Sequence, residues 1–211
     1  MRALGKFILA IGAHPDDIEL GCGAILSRHI LEGDKVIAVV MTAGECGSNS
    51  TFNRVDETRR ALALLGVKDV QCFNFDDTFL GDNIPSLIRI LEGVIKTHLP
   101  DGVLYRVYTM GNSDRHQDHR AIFEASIVAC RNASQILCYE TPSSLTSFYP
   151  SFYINITSQE LNKKTFALKE HYSQQHRYYI QPEHVGAVAR FRGLQAGCKL
   201  SEAFEIYKMV I

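Results

Sequence analysis

The sequence predicts one α/β domain built around a mainly parallel sheet, and three observations carry that prediction. Short apolar runs of strand length alternate with segments of helical periodicity through the first two thirds of the chain. Glycines stand just past two of the helical segments, where a helix is commonly closed. The chain has 211 residues, within the range of a single core, and no linker, internal repeat or low-complexity tract divides it. Residues 1–211 are therefore read as one domain.

Each element follows from a local pattern. Phe7 to Ile11 is an unbroken apolar run and reads as a buried first strand. A helix from Ile18 to Glu32 is closed by Gly33, and Val36 to Met41 is the second strand. After a Gly/Ser/Asn-rich loop, Thr42 to Asn53, a helix runs from about Arg54 to Leu65 and is stopped by Gly66; Val70 to Phe75 is the third strand. Ile84, Leu87, Ile88, Leu91, Val94 and Ile95 recur at i, i+3, i+4 spacing and mark an amphipathic helix. Val103 to Tyr108 is the next strand. A polar loop, Thr109 to Gln117, leads into a helix near His119 to Arg131 whose buried stripe would be Ile122, Phe123, Ile127 and Cys130. Ile136 to Glu140 continues the alternation. From Thr141 the pattern loosens into a Ser/Thr/Pro-rich connection and a strand at Phe152 to Ile156. Helices near Gln159 to Tyr172 and Pro182 to Ala196 and a closing strand at Phe204 to Ile211 complete the chain.

Composition removes whole classes of function. Hydrophobic residues at 46% and charged residues at 21% describe a folded globular protein, not a disordered, collagen-like or coiled-coil one. Twenty-two basic residues against 23 acidic ones give a formal charge of -1, with no surplus to neutralise a phosphate backbone, so nucleic acid is not an expected partner. The apolar run within Met1 to Leu9 is too short for a signal peptide, and no later stretch approaches a membrane span. A cytoplasmic location is expected. Six cysteines form no C-x-x-C pair, so most are read as small buried hydrophobes. The N-x-S/T triplets at Asn49, Asn132 and Asn155 carry no weight without a secretory context.

Two polar clusters stand out because both follow predicted strands, at the sheet edge where open α/β folds place ligands. In Gly12-Ala13-His14-Pro15-Asp16-Asp17, the proline forces an extended residue before it and suits a helix start after it. The chain should turn sharply there. His14 and Asp17, three apart, can then face one point with Asp16 offset, so one carboxylate and an imidazole can hold a metal while the other carboxylate stays free to take a proton. The plainer reading makes His14 a strand-end histidine and the aspartates an N-cap and a first-turn acid. The second cluster, Asp114-Arg115-His116-Gln117-Asp118-His119, packs two His and two Asp into six residues, with His116 and His119 on one side of a helical turn. Its plainer reading makes Asp118 an N-cap. Two such clusters together favour a metal site, because His, His and Asp from separate loops form a common catalytic ligand set with an open position.

These residues resemble the LmbE-like or PIG-L group of zinc-dependent N-acetylglucosaminyl deacetylases. The A-H-P-D-D motif and its Gly-containing helix start are matched by Ala13 to Gly23, and H-x-D-H by His116-Gln117-Asp118-His119. Looser matches are Thr42-Ala43-Gly44-Glu45, Arg54 with Glu57, Asp77 with Leu80, Ser173-Gln174, Arg192-Gly193 and Ser201-Glu202-Ala203-Phe204. The resemblance implies a Rossmann-like three-layer sandwich and one zinc ion per chain, held by His14, Asp17 and His119. It implies Asp16 as general base, His116 beside the reacting carbonyl and Asp118 as a supporting carboxylate. On this reading zinc-activated water removes an N-acetyl group from an amino-sugar small molecule, a protonated His116 helps to hold the oxyanion, and either Asp16 or His116 gives the leaving amine its proton. Arg54 and Asp77 would contact substrate. His98 reads as structural, while His29, His171, His176 and His184 have no partner at ligand spacing; Tyr172, Tyr178 and Tyr179 could line a sugar pocket. Thr141 to Ser151 is a candidate contact for a homo-oligomer.

Two rival readings remain. A non-catalytic nucleotide-binding module fits poorly, because Gly12, Gly21 and Gly23 do not form G-x-G-x-x-G and the acidic pair would repel a pyrophosphate. A metal-dependent hydrolase of another amide or ester keeps the site and changes the substrate, and a two-metal phosphoesterase would need more ligands than the clusters supply.

Overall fold

The computed structural model describes residues 5–47, 53–100 and 102–211. The stretch 48–52, with the Asn49 triplet, lies outside the described residues, as do most of the residues ahead of the first strand. Seven strands form one sheet in the order β3-β2-β1-β4-β5-β7-β6. The strands are β1 (Phe7–Gly12), β2 (Lys35–Thr42), β3 (Asp69–Phe75), β4 (Arg106–Met110), β5 (Gln135–Tyr139), β6 (Phe152–Asn155) and β7 (Ser201–Met209). β1 to β5 pair in parallel, whereas β7 runs antiparallel to both β5 and β6. The sheet is thus mainly parallel, as the alternation predicts.

Helices α1 (Asp17–Glu32), α2 (Arg54–Leu65), α5 (Ser158–Leu168) and α6 (Pro182–Gln195) pack as one group, and α3 (Ile84–His98) with α4 (Gln117–Ala129) as another. Buried residues of β1 and β2, including Ile8, Ile11, Ile37 and Met41, form the centre of the core between them. β1 and β4 are neighbours although the chain passes through β2 and β3 between them. The strand order reverses there, and the loops after β1 and β4 part to leave a crevice.

The structure shifts several expected boundaries. β4 begins at Arg106, because Val103 is 69% exposed and lies before the strand. α4 buries Ala121, Ile122, Ala125 and Ala129, while Phe123 and Ile127 are only half-buried. Small residues let this helix lie close to the sheet, and Phe123 meets the Tyr207 ring at the flank. α5 ends at Leu168, and a separate 3-10 turn covers Tyr172–Gln174. β7 starts three residues earlier than expected, at Ser201. Of the cysteines, Cys22, Cys130 and Cys138 are buried; Cys72 and Cys198 are half-buried and Cys46 is exposed.

Helix α1 is broken inside. Cys22 has φ -142° and ψ 16°, which interrupts the hydrogen-bonding ladder. The carboxylate of Glu202 on β7 accepts the freed N–H groups of Ala24 and Ile25 at 3.1 and 2.9 Å, and Lys164 Nζ donates to it at 2.7 Å. The first turn of α1 is thereby a separate piece. Gly21 belongs to it, and a Cβ there would fall 2.1 Å from the Tyr139 ring.

Candidate active site

Both polar clusters converge at the crevice. Pro15 has no N–H, and Asp16 takes a left-handed backbone with φ 101°, a conformation that costs a non-glycine residue of order 1–3 kcal/mol. That bend lets Asp17 begin α1 while its Oδ2 accepts the His14 N–H at 2.7 Å. On the other side His116 caps α4: its Nδ1 accepts the Asp118 N–H at 3.3 Å, and its own N–H donates to Asp114 Oδ1 at 2.8 Å. His116, not Asp118, is the cap.

The Asp17 carboxylate lies between two imidazoles. His14 Nδ1 is 3.4 Å from its Oδ2, and His119 Nε2 is 3.4 Å from its Oδ1. The far nitrogen of each ring meets another carboxylate. His14 Nε2 lies 3.1 Å from Asp118 Oδ2 and 3.0 Å from Asp77 Oδ1, and His119 Nδ1 lies 2.9 Å from Asp114 Oδ2. Carboxylates on the outer nitrogens fix the tautomers that leave His14 Nδ1 and His119 Nε2 as lone-pair donors, the usual support for metal-binding histidines. Ring nitrogens of His14, His116 and His119 also fall within 4.8 Å of one another. The donor set fits a divalent metal such as zinc, with Asp17 as the anionic ligand. His116 belongs to this group by distance, but its Nδ1 is engaged in the cap.

The electrostatics follow from burial and these pairings. Burial opposes charge on Asp17, but the imidazoles of His119 and His14 hold its carboxyl well below the ordinary range. Burial opposes charge on His119 too, yet Asp17 and Asp114 lift it to about 9. Asp16 is pushed up to about 6 by burial, against the pull of Arg54. Burial and the neighbouring His14 and His119 lower His116. With Nδ1 accepting, the neutral His116 ring carries its proton on Nε2.

Asp118, expected as a supporting carboxylate, is fully buried and does not line the cavity. Besides His14 it accepts the N–H groups of Thr78 at 2.7 Å and Leu80 at 3.1 Å. Asp77 and Arg54, expected against substrate, line the cavity and also bond the protein, with Arg54 Nε left without a hydrogen-bond partner. Asp77 accepts the Cys46 N–H at 2.9 Å as well as facing His14. Arg54 is buried. It donates to Gly44 O at 2.6 Å and Pro15 O at 2.8 Å, and its Nη2 lies 3.4 Å from Asp16 Oδ2.

Several contributors escape sequence reasoning. Asp114 gathers His119, His116 N–H, Thr141 Oγ1 at 2.5 Å and Ser143 Oγ at 2.6 Å on one carboxylate. His171 pairs with Glu19 at 3.0 Å, both fully buried, and Thr58 donates to the same Glu19 oxygen at 2.6 Å. His29 also has partners, Asp34 at 2.7 Å and Tyr108 at 3.0 Å. His98 is structural, facing Gln71 at 2.6 Å and Asp69 at 3.1 Å.

Above these groups lies a cavity of about 310 Å³, bounded by Ser143, Gln174, Arg177 and Tyr179. Its size suits a small molecule of one or two rings. Of the three tyrosines, Tyr179 lines it, while Tyr178 and Tyr172 are 82% and 53% exposed.

The comparisons agree with this picture. The chain is 48% identical over 169 residues to the uncharacterized deacetylase YaiS of Escherichia coli (strain K12), covering 80% of this chain and 91% of that protein. It is 24% identical to the diacetylchitobiose deacetylase of Thermococcus kodakarensis over 93% of this chain and 81% of that one. The crystal structure of the conserved protein TT1542 from Thermus thermophilus superposes with a TM-score of 0.82 at 25% identity, covering 99% of this chain and 97% of the other. The profile described as PIG-L, GlcNAc-PI de-N-acetylase, matches residues 9–130, a span that holds both polar clusters, and the chain belongs to the PIG-L family.

Proposed function

We propose that this protein hydrolyses the N-acetyl group of an acetylated amino sugar, using one zinc ion held by His14, Asp17 and His119. The observation that carries the reading is a pair of imidazoles that converge on the Asp17 carboxylate, with carboxylates on their outer nitrogens, while the buried Asp16 next along the chain lines the same cavity. Similarity to YaiS and to the diacetylchitobiose deacetylase supports deacetylation of a sugar.

A zinc ion in this set would supply Lewis acidity, lowering the pKa of water and polarising an acetamide carbonyl. The remaining work falls to side chains. Asp16 accepts the proton of the attacking water, and Arg54 beside its Oδ2 restrains it. His116 donates Nε2–H to the carbonyl oxygen as negative charge develops there, because its Nδ1 is occupied by the cap. Asp16 then returns its proton to the departing nitrogen, so water and amide become acetate and free amine. Asp118, Asp77 and Asp114 hold the rings, and Arg54 holds the loops after β1 and β2. Both Arg54 and Asp77 act here as positioning residues, in place of substrate contact.

The direct test is acetate and amine release from a panel of N-acetylated sugars, with metal removed and zinc restored. Release that depends on zinc and is lost in Asp16→Asn supports the proposal. Hydrolysis of phosphate or carboxyl esters alone, or a requirement for two metals per chain, would overturn it.

A further inference from the structure

A second cavity, of about 420 Å³, lies at the opposite end of the sheet, where β1 and β4 begin and α1 ends. Its walls include Lys6, Arg28, Arg106, Tyr105, Phe152 and Tyr153. Arg28 is neutralised by Glu160, with Nη2 2.6 Å from Oε2. Lys6 Nζ and Arg106 are not. Among the described residues no carboxylate lies within ion-pair distance of either, and Glu32 is the acid on the wall.

Arg106 is the unusual group. It is half-buried, and its guanidinium centre stands 5.5, 5.8 and 5.7 Å from the rings of Tyr105, Tyr108 and Phe152. Its Nε donates to Gln135 at 2.6 Å and its Nη1 to the Tyr108 hydroxyl at 3.0 Å. That hydroxyl is held from behind by His29, itself 2.7 Å from Asp34. Two of its three nitrogens are thus fixed on neutral acceptors, and the geometry leaves Nη2 for a partner from outside. Lys6 Nζ stands 4.4 Å from the centre of the same Tyr105 ring. A partly desolvated guanidinium without a counter-charge is costly unless an anion completes it, and Arg is well shaped to receive phosphate or carboxylate oxygens. Two cations suit a doubly charged group, while the aromatic walls suit a flat ring.

We propose that this cavity is a binding site for an aromatic phosphomonoester, with the phosphate on Arg106 and Lys6 and the ring against Tyr105, Phe152 and Tyr153. It is separate from the deacetylase site and takes no part in that chemistry.

The test is calorimetric titration of the full chain with AMP, set beside adenosine and inorganic phosphate. One AMP should bind per chain, at least tenfold more tightly than either fragment. Arg106→Gln should weaken it at least tenfold. Because Arg106 also orders Tyr108 and Gln135, Lys6→Gln provides a milder variant; it breaks no side-chain hydrogen bond and should cost several-fold with sugar hydrolysis unchanged. AMP binding should persist in metal-free His119→Ala, which separates it from phosphate binding at the other cavity. The absence of AMP binding, equal affinity in wild type and both cavity variants, or loss of binding in His119→Ala would each overturn the proposal.

Discussion

Replacing Asp114 with Asn tests the metal centre at a residue that touches neither metal nor substrate in the proposed scheme. The carboxylate accepts from four donors, two on each oxygen. Oδ2 serves His119 Nδ1 and Thr141 Oγ1; Oδ1 serves the His116 N–H and Ser143 Oγ. An amide keeps one acceptor oxygen and turns the other into a donor. The hydroxyls of Thr141 and Ser143 can rotate to accept, but the two nitrogens cannot both keep a carboxylate oxygen. With the NH2 at the Oδ1 position, the backbone N–H of His116 at the start of α4 is orphaned. With it at the Oδ2 position, His119 Nδ1–H is left with the neutral Ser143 Oγ at 3.2 Å, or the ring moves its proton to Nε2 and loses its lone pair toward the metal. Each outcome orphans a buried group or replaces a charge-assisted hydrogen bond by a weaker one, at roughly 1–3 kcal/mol. At about 1.4 kcal/mol per tenfold, zinc affinity should fall about 10- to 100-fold, the range found for supporting residues at other metal sites. Competition against a fluorescent chelator measures it, with circular dichroism as the check on folding. Thr141→Val, which removes one donor and leaves the carboxylate, should cost less. A folded Asp114→Asn protein with wild-type zinc affinity would refute the argument.

Asp16→Asn should keep zinc and lose about 10²- to 10⁴-fold in turnover, whereas His119→Ala should lose the metal; elemental analysis and acetate release distinguish them. His116→Ala should keep zinc and raise the barrier by ~2.7–4 kcal/mol, and because the donor is neutral, the alkaline limb of the pH profile should be the same in variant and wild type. Glu160→Gln should destabilise the fold by roughly 1–3 kcal/mol near neutrality, since Glu160 binds Arg28 and completes the cap of α5. Burial alone would raise the Glu160 carboxyl, but the Arg28 and Thr157 hydrogen bonds lower it on balance. That stabilisation is full above the unfolded-state value and is lost as pH falls through the folded one. Urea melts should therefore show the two proteins converging below about pH 4.5.

The legible parts of the molecule share a physical character. β1 and the turn at His14 can be read because an apolar run, a proline and two adjacent acids each act over a few residues. α1 and α2 are bounded by Gly33 and Gly66, whose φ values of 89° and 95° are the left-handed geometry that favours glycine. What escapes depends on distant partners. The break at Cys22 sits in an apolar stretch of ordinary helical pattern and is stabilised by Glu202, 178 positions from Ala24. The roles of Asp114 and its partners Thr141 and Ser143 depend on an irregular connection without periodicity. The stripe expected for α4 is half right: Ile122 and Cys130 are buried, whereas Phe123 and Ile127 are half-buried, since size does not by itself give burial. Ala121, Ala125 and Ala129 lie inward because they are small. Nothing local shows that Arg54 and Asp77, read as reaching for substrate, also tie together the loops after β1 and β2, through Gly44 O, Pro15 O and the Cys46 N–H.

The bond from Glu202 to the interrupted α1 also bears on the order in which the molecule assembles. His14 to Asp17 leave the ribosome early, and β1 can pair with β2 across a short stretch of chain. The ligand turn, however, is seated against a helix whose second half starts on a carboxylate from the last strand. Contacts spanning most of a chain carry the largest loop-closure cost and are made late. A nascent chain ending before Ser201 would hold every proposed zinc ligand and still lack the carboxylate on which the second half of α1 starts, so that helix would be completed only when the last strand closes the sheet.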